Sequence, residues 1–120
     1  MNPIAMIRTA VALLVIAALG GIVMALVRLS KGANPPNWLA ILHGLLAAAS
    51  LTLLLYATFA VGIPMLANVG LALLLIAALV GLVLNLNYQG KGVLLPPGVL
   101  VGHALIAAVG FVLVLIVAVR

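Results

Sequence analysis

Four long apolar runs, residues 4–29, 38–61, 65–86 and 99–119, occupy most of the chain. Each exceeds the ~18 consecutive apolar residues that mark a spanning helix. The segments between them are polar or rich in helix breakers. Ser30, Lys31, Gly32, Asn34, Pro35 and Pro36 separate the first two runs, and Gly62-Ile63-Pro64 separates the second from the third. Asn87-Tyr88-Gln89-Gly90-Lys91-Gly92 followed by Pro96-Pro97-Gly98 precedes the fourth. Proline is tolerated at the first helical position, so Pro36, Pro64 and Pro97 mark helix starts. The pattern predicts an all-α membrane protein with four transmembrane helices.

The chain also matches itself at an offset of 60. Residues 1–60 set against 61–120 share 19 identities without a gap. Leu and Ala inflate that number, but Lys31-Gly32 with Lys91-Gly92, Pro36 with Pro96 and His43 with His103 are not matches that apolar composition produces. Ala17-Ala18-Leu19 also meets Ala77-Ala78-Leu79, and Gly21 meets Gly81. One bundle of two tandem helical hairpins is expected, repeat one at 1–60 and repeat two at 61–120. Each repeat has an even number of spans, so the copies run parallel about a pseudo-two-fold axis along the membrane normal. The first run matches the third and is too long for a signal-peptide core, which makes it a retained span.

Composition narrows the chemistry. The 120 residues are 69% hydrophobic, with five Lys and Arg, no Asp or Glu and no Cys. A soluble domain has about a quarter of its residues charged. Without carboxylates or thiols there is no carboxylate acid–base pair, Ser-His-Asp triad, thiolate nucleophile or covalent haem attachment. The charge of +5 is scattered at span ends, which speaks for topology and anion contacts and against nucleic acid. Small multidrug transporters share the length and span number but depend on a membrane carboxylate that is missing here. Arg28, Lys31 and Lys91 on one side against Arg8 and Arg120 on the other place the Lys-Gly loops in the cytoplasm of a multi-pass plasma (inner) membrane protein. Trp38, Tyr56 and Tyr88 are expected at the interfaces.

His43 and His103 each lie seven residues after their Pro36 and Pro96, about 10 Å inside the helix start. If both face the pseudo-two-fold axis, two imidazoles meet across the bundle, as axial ligation of one haem b per chain requires. Zinc is a poor fit, since it takes about four N, S or O ligands. Gly21 and Gly81 fall near the histidine level, and Gly44, Gly102 and Ala104 flank the histidines; small residues there would let a porphyrin edge pass. Lys31, Lys91 and Arg28 are the cations on the nearer face, suited to haem propionates. Each feature also has an ordinary reading: carbonyl-bonded histidines, small-residue helix packing and positive-inside anchoring.

Facing spans with histidine ligands resemble the cytochrome b561 group, and the duplicated His-Gly and His-Ala pairs resemble small bacterial four-helix membrane proteins of the same plan. The resemblance implies a b-type cytochrome, an electron carrier rather than a stand-alone enzyme, exchanging electrons with a quinone or a partner redox protein. The b561 pattern has four histidines for two haems, whereas two histidines allow one haem near one side. The alternatives are an accessory or structural subunit of a membrane complex, or a small transporter with the His pair as a relay. Lipid and further copies of the chain complete the expected partners.

Overall fold

A computed structural model describes residues 2–120. It contains helices α1 (Pro3–Lys31), α2 (Asn37–Tyr56), α3 (Met65–Asn87) and α4 (Pro97–Val119), and no strand among the described residues. All four are long and apolar enough to cross a membrane. Their ends follow the breakers. Asn2 caps α1 by accepting a 2.7 Å hydrogen bond from the Ala5 amide. Pro36 and Pro64 precede α2 and α3, and Pro97 opens α4. Gly32 and Gly92, at φ +64° and +68°, close the Lys-Gly ends in the left-handed conformation that glycine adopts without strain. The second run differs from a plain helix at its end. Residues Ala57–Val61 widen into a π-turn, closed by the Gly62 amide donating to the Ala57 carbonyl at 2.8 Å. The Thr58 hydroxyl sits 2.9 Å from Asn68 Oδ1 of α3 and so ties the turn together.

The helices form a square bundle. α1 packs on α2 and α4, and α3 packs on α2 and α4, which puts α2 and α4 on one diagonal. The bundle measures 43 × 19 × 19 Å, and its length suits the 40–45 Å of a bilayer with its headgroup regions. The main apolar core, with Ile7, Ala10, Leu54, Leu71 and Val114, fills the half nearer the Gly62–Pro64 turn. A smaller cluster of Leu84, Leu95 and Leu100 sits at the Lys-Gly end. The repeat shows in the outer surface too. Leu19 and Leu79 are 61% and 65% exposed, and Leu45 and Leu105 are 64% and 62% exposed. These matched leucines are the lipid-facing surface of a multi-pass membrane protein.

Both hairpins cross at the same register on small residues. In the first, buried Ser50 donates to the Ala10 carbonyl at 2.9 Å. Sixty residues on, Gly110 and Gly70 hold the equivalent places, and the backbones touch. A Cβ on Gly70 would lie 2.8 Å from the Gly110 carbonyl oxygen, and one on Gly110 would lie 2.9 Å from the Gly70 oxygen. Close approach on small residues is how helices gain dispersion contacts in lipid. Backbone cannot yield as a side chain can, so Gly70→Ala should destabilise the bundle by about 1–3 kcal/mol. Gly44→Ala, whose Cβ would meet nothing within 4 Å, should leave stability unchanged or slightly raised. Thermal unfolding of the purified protein in detergent checks this; equal melting of both variants would contradict the backbone contact.

Candidate functional site

The two histidines stand on the diagonal helices α2 and α4, at the level where the bundle is thinnest in buried side chains. Each ring reaches across its own hairpin. His43 Nδ1 lies 2.7 Å from the Ala17 carbonyl oxygen of α1, and His103 Nδ1 lies 2.7 Å from the Ala77 carbonyl oxygen of α3. A carbonyl only accepts, so Nδ1 carries the proton in both rings. In the neutral imidazole this leaves Nε2 as the bare, electron-pair-bearing nitrogen. Neither Nε2 has a hydrogen-bond partner among the described residues. Both imidazoles are half-buried, their ring centroids are 6.3 Å apart and their planes are inclined by 73°.

The glycines of the site seat these rings. A Cβ on Gly21 would come within 3.1 Å of His43 Cε1, and a Cβ on Gly81 within 3.1 Å of His103 Cε1. The space that glycine provides at this level therefore holds the imidazole of the same hairpin. Gly44 and Gly102 behave differently, since a Cβ on either would meet nothing within 4 Å. The structure thus brings together His43, His103, Gly21 and Gly81, with Gly44 and Gly102 beside the histidines in sequence but facing open space. Ala17 and Ala77 are site residues that side-chain chemistry does not reveal, because they act through their carbonyls. Their only sequence signal is the repeat, which pairs them.

The cations lie farther out. Arg28 donates from Nε to the Leu95 carbonyl at 2.8 Å and so links α1 to the segment before α4. Lys31 and Lys91 are exposed at the Lys-Gly turns. Lys31 stands ten residues beyond Gly21, roughly 15 Å along the helix axis. Trp38 and Tyr56 are exposed at 65% and 59%, whereas Tyr88 packs against the Leu84, Leu95 and Leu100 cluster.

The donor set limits what the site can hold. No group of three or more His, Cys, Asp or Glu side chains comes together among the described residues. Two imidazole nitrogens do not complete a bare metal ion that requires about four ligands. Two imidazole nitrogens are the number of side-chain ligands that a metal otherwise held by a macrocycle would take. No family model matches the chain, and no curated protein or solved structure is significantly similar to it.

The hydrogen bonds to Ala17 and Ala77 predict the Nδ1–H tautomer at both histidines. Side-chain 15N spectra of histidine-labelled protein in micelles should show two unprotonated Nε2 nitrogens. An Nε2–H signal at either residue would contradict the assigned geometry. Gly21→Leu should push the His43 ring off the Ala17 carbonyl and shift the His43 signals far more than those of His103.

Proposed function

We propose that this protein is a membrane b-type cytochrome that holds one haem b between His43 and His103 and serves as an electron carrier. The observation that carries the reading is the pair of pre-set imidazoles. Each has its Nδ1–H committed to a helix carbonyl, and each leaves Nε2 free on one of two diagonal helices. A hydrogen bond at the far nitrogen is the usual partner of a metal-bound histidine, because it fixes the tautomer and ring orientation and raises ligand basicity. The haem supplies the redox chemistry. The chain supplies two axial nitrogens, an apolar surround and cations for the propionates. With both axial positions taken by protein, the role is electron exchange with a quinone or a partner redox protein, not activation of a substrate at iron. The plan resembles the cytochrome b561 group with a single haem level.

In this reading the haem lies about 10 Å inside the Lys-Gly face, which the weak charge bias assigns to the cytoplasm of a bacterial inner membrane. Lys31, Lys91 and Arg28 are the cations available to the propionates on that face.

The direct test is substitution of the ligands. His43→Ala and His103→Ala should have similar effects, each abolishing haem binding or converting a six-coordinate low-spin spectrum to a five-coordinate one. An unchanged low-spin spectrum in either variant would overturn the reading. A colourless preparation of the wild type after haem-supplemented expression would favour an accessory subunit or a transporter. The lysines give a separate prediction. Positive charge near the propionates favours the reduced, less positive iron, so Lys31→Gln combined with Lys91→Gln should lower the reduction potential while the axial ligands stay in place. A potential equal to that of the wild type would leave both lysines as topology signals alone.

A further inference from the structure

The start of α1 and the end of α4 meet at a corner that the histidine pair does not use. Arg8 lies in the apolar run of α1, five residues after Pro3, which is about 8 Å along the axis. Its Nε donates to the Ala118 carbonyl of α4 at 2.9 Å. The N–H groups on its two terminal nitrogens make no hydrogen bond among the described residues. Arg120 follows Ala118 by two residues and is exposed. Two full positive charges therefore share one corner, and the chain has no Asp or Glu to face them.

The internal repeat shows what the bundle itself needs at this position. At an offset of 60, Arg8 corresponds to Asn68, Ala118 to Thr58 and Arg120 to Ala60. The contact of Arg8 with Ala118 is thus the counterpart of the contact of Asn68 with Thr58, whose Oδ1 and Oγ1 lie 2.9 Å apart. Asn68 also donates to the Ile63 carbonyl at 3.4 Å. One corner therefore joins the two hairpins with a neutral side chain, both ends of which are used. The other joins them with a single N–H of a guanidinium and adds two charges. Joining the hairpins does not require those charges.

The end of α4 neutralises only part of them. A helix C-terminus carries about half an elementary negative charge, against two positive ones here. A charged side chain in an apolar span is costly without a partner. A guanidinium grips a phosphate through two parallel N–H···O bonds, and phosphate is the anion that a bilayer offers at its headgroup level. The depth agrees. The bundle is 43 Å long, so a ~30 Å hydrocarbon core leaves about 6–7 Å at each end. Arg8 enters close to that boundary, and its long side chain reaches the headgroups beyond it.

The surface of α1 below Arg8 suits what hangs from a lipid phosphate. Ala12, Val15 and Leu19 follow Arg8 at helical spacing, and all three are exposed. Ala12 adds only a methyl group one turn below the guanidinium, and Val15 and Leu19 continue the apolar track. A soluble phosphate has no use for this track. A zwitterionic headgroup brings an ammonium group up against two guanidiniums, which an anionic headgroup does not.

We infer that the α1–α4 corner binds one anionic phospholipid, with its phosphate between Arg8 and Arg120 and an acyl chain along Ala12, Val15 and Leu19. The site is independent of the haem reading, because Arg28, Lys31 and Lys91 stand at the opposite end of the bundle.

The test uses full-length, delipidated protein labelled with 15N-arginine in dodecylmaltoside micelles and titrated with dioleoylphosphatidylglycerol. The side-chain Nε–H signals of Arg8 and Arg120 should shift and saturate, while that of Arg28 should not move. Dioleoylphosphatidylcholine, with the same chains and no net charge, should bind at least about tenfold more weakly, a difference of about 1.4 kcal/mol. Inorganic phosphate should give no saturable shift. Arg8→Asn copies the neutral residue of the second repeat, and Arg120→Gln changes an exposed position. Each should weaken phosphatidylglycerol binding at least about fivefold, read from the arginine that remains. Lys31→Gln/Lys91→Gln removes two charges from the other end and should leave the affinity within about twofold. Equal affinity for the two lipids, or full affinity in either arginine variant, would overturn the inference. So would an equal loss in the lysine variant, which would mean diffuse attraction, or saturation by inorganic phosphate, which would mean a soluble-anion site.

Discussion

Inside a bilayer no water completes the hydrogen bonds of a polar side chain, and that constraint organises this molecule. Most of the side-chain donors that find a partner on the spans turn to a backbone carbonyl. Thr9, Ser30 and Thr52 bond back to the carbonyl one turn earlier on their own helix. Others reach across to a neighbour: Arg8 to Ala118, Arg28 to Leu95, Ser50 to Ala10, His43 to Ala17 and His103 to Ala77. These crossings hold the hairpins together where apolar burial gives little net attraction between helices in lipid. Arg8 also sets its positive charge against the last carbonyls of α4, the end where a helix favours a cation.

Against that background the unsatisfied atoms stand out. A histidine introduced only to join two helices needs one nitrogen, and Nδ1 does that work here. Nε2 is left over twice, at matched positions on diagonal helices. Both Nε2 atoms stay accessible on half-buried rings whose centroids are 6.3 Å apart, so each remains free to take a further partner. The glycines then have a physical role of their own: Gly21 and Gly81 leave room for each ring, Cε1 nearest, against the neighbouring helix at the depth where its Nδ1 finds the carbonyl. Gln89 Oε1 is the one buried side-chain polar atom without a partner among the described residues, and it occurs on one side only. Two-fold repetition supplies the histidine pair, and departure from that repetition supplies both Gln89 and the arginine corner.

The helices were readable because length, hydropathy and proline placement all carry the same message. Residues 4–29 became Pro3–Lys31 and residues 99–119 became Pro97–Val119. The π-turn at Ala57–Val61 was not readable, since it depends on Gly62 and Pro64 stopping a helix that no residue within it breaks. The histidines were found through the repeat. Their carbonyl partners were hidden because any residue provides a carbonyl, and only three-dimensional register selects Ala17 and Ala77. Gly21 and Gly81 were placed at the correct depth, but depth says nothing about what fills the gap beside a glycine. Gln89 lies in the breaker segment after the run 65–86, where a polar residue is ordinary, and an unfilled acceptor is visible only when its surroundings are.

The central claim is that two imidazoles form one axial pair. Titration of haemin into the purified, haem-free wild-type protein, followed by its visible absorption, measures this most directly. The account predicts saturation at one haem per chain with a six-coordinate, low-spin spectrum in the oxidised and reduced states. Non-saturable uptake, a high-spin product, or saturation at one haem per two chains would contradict it.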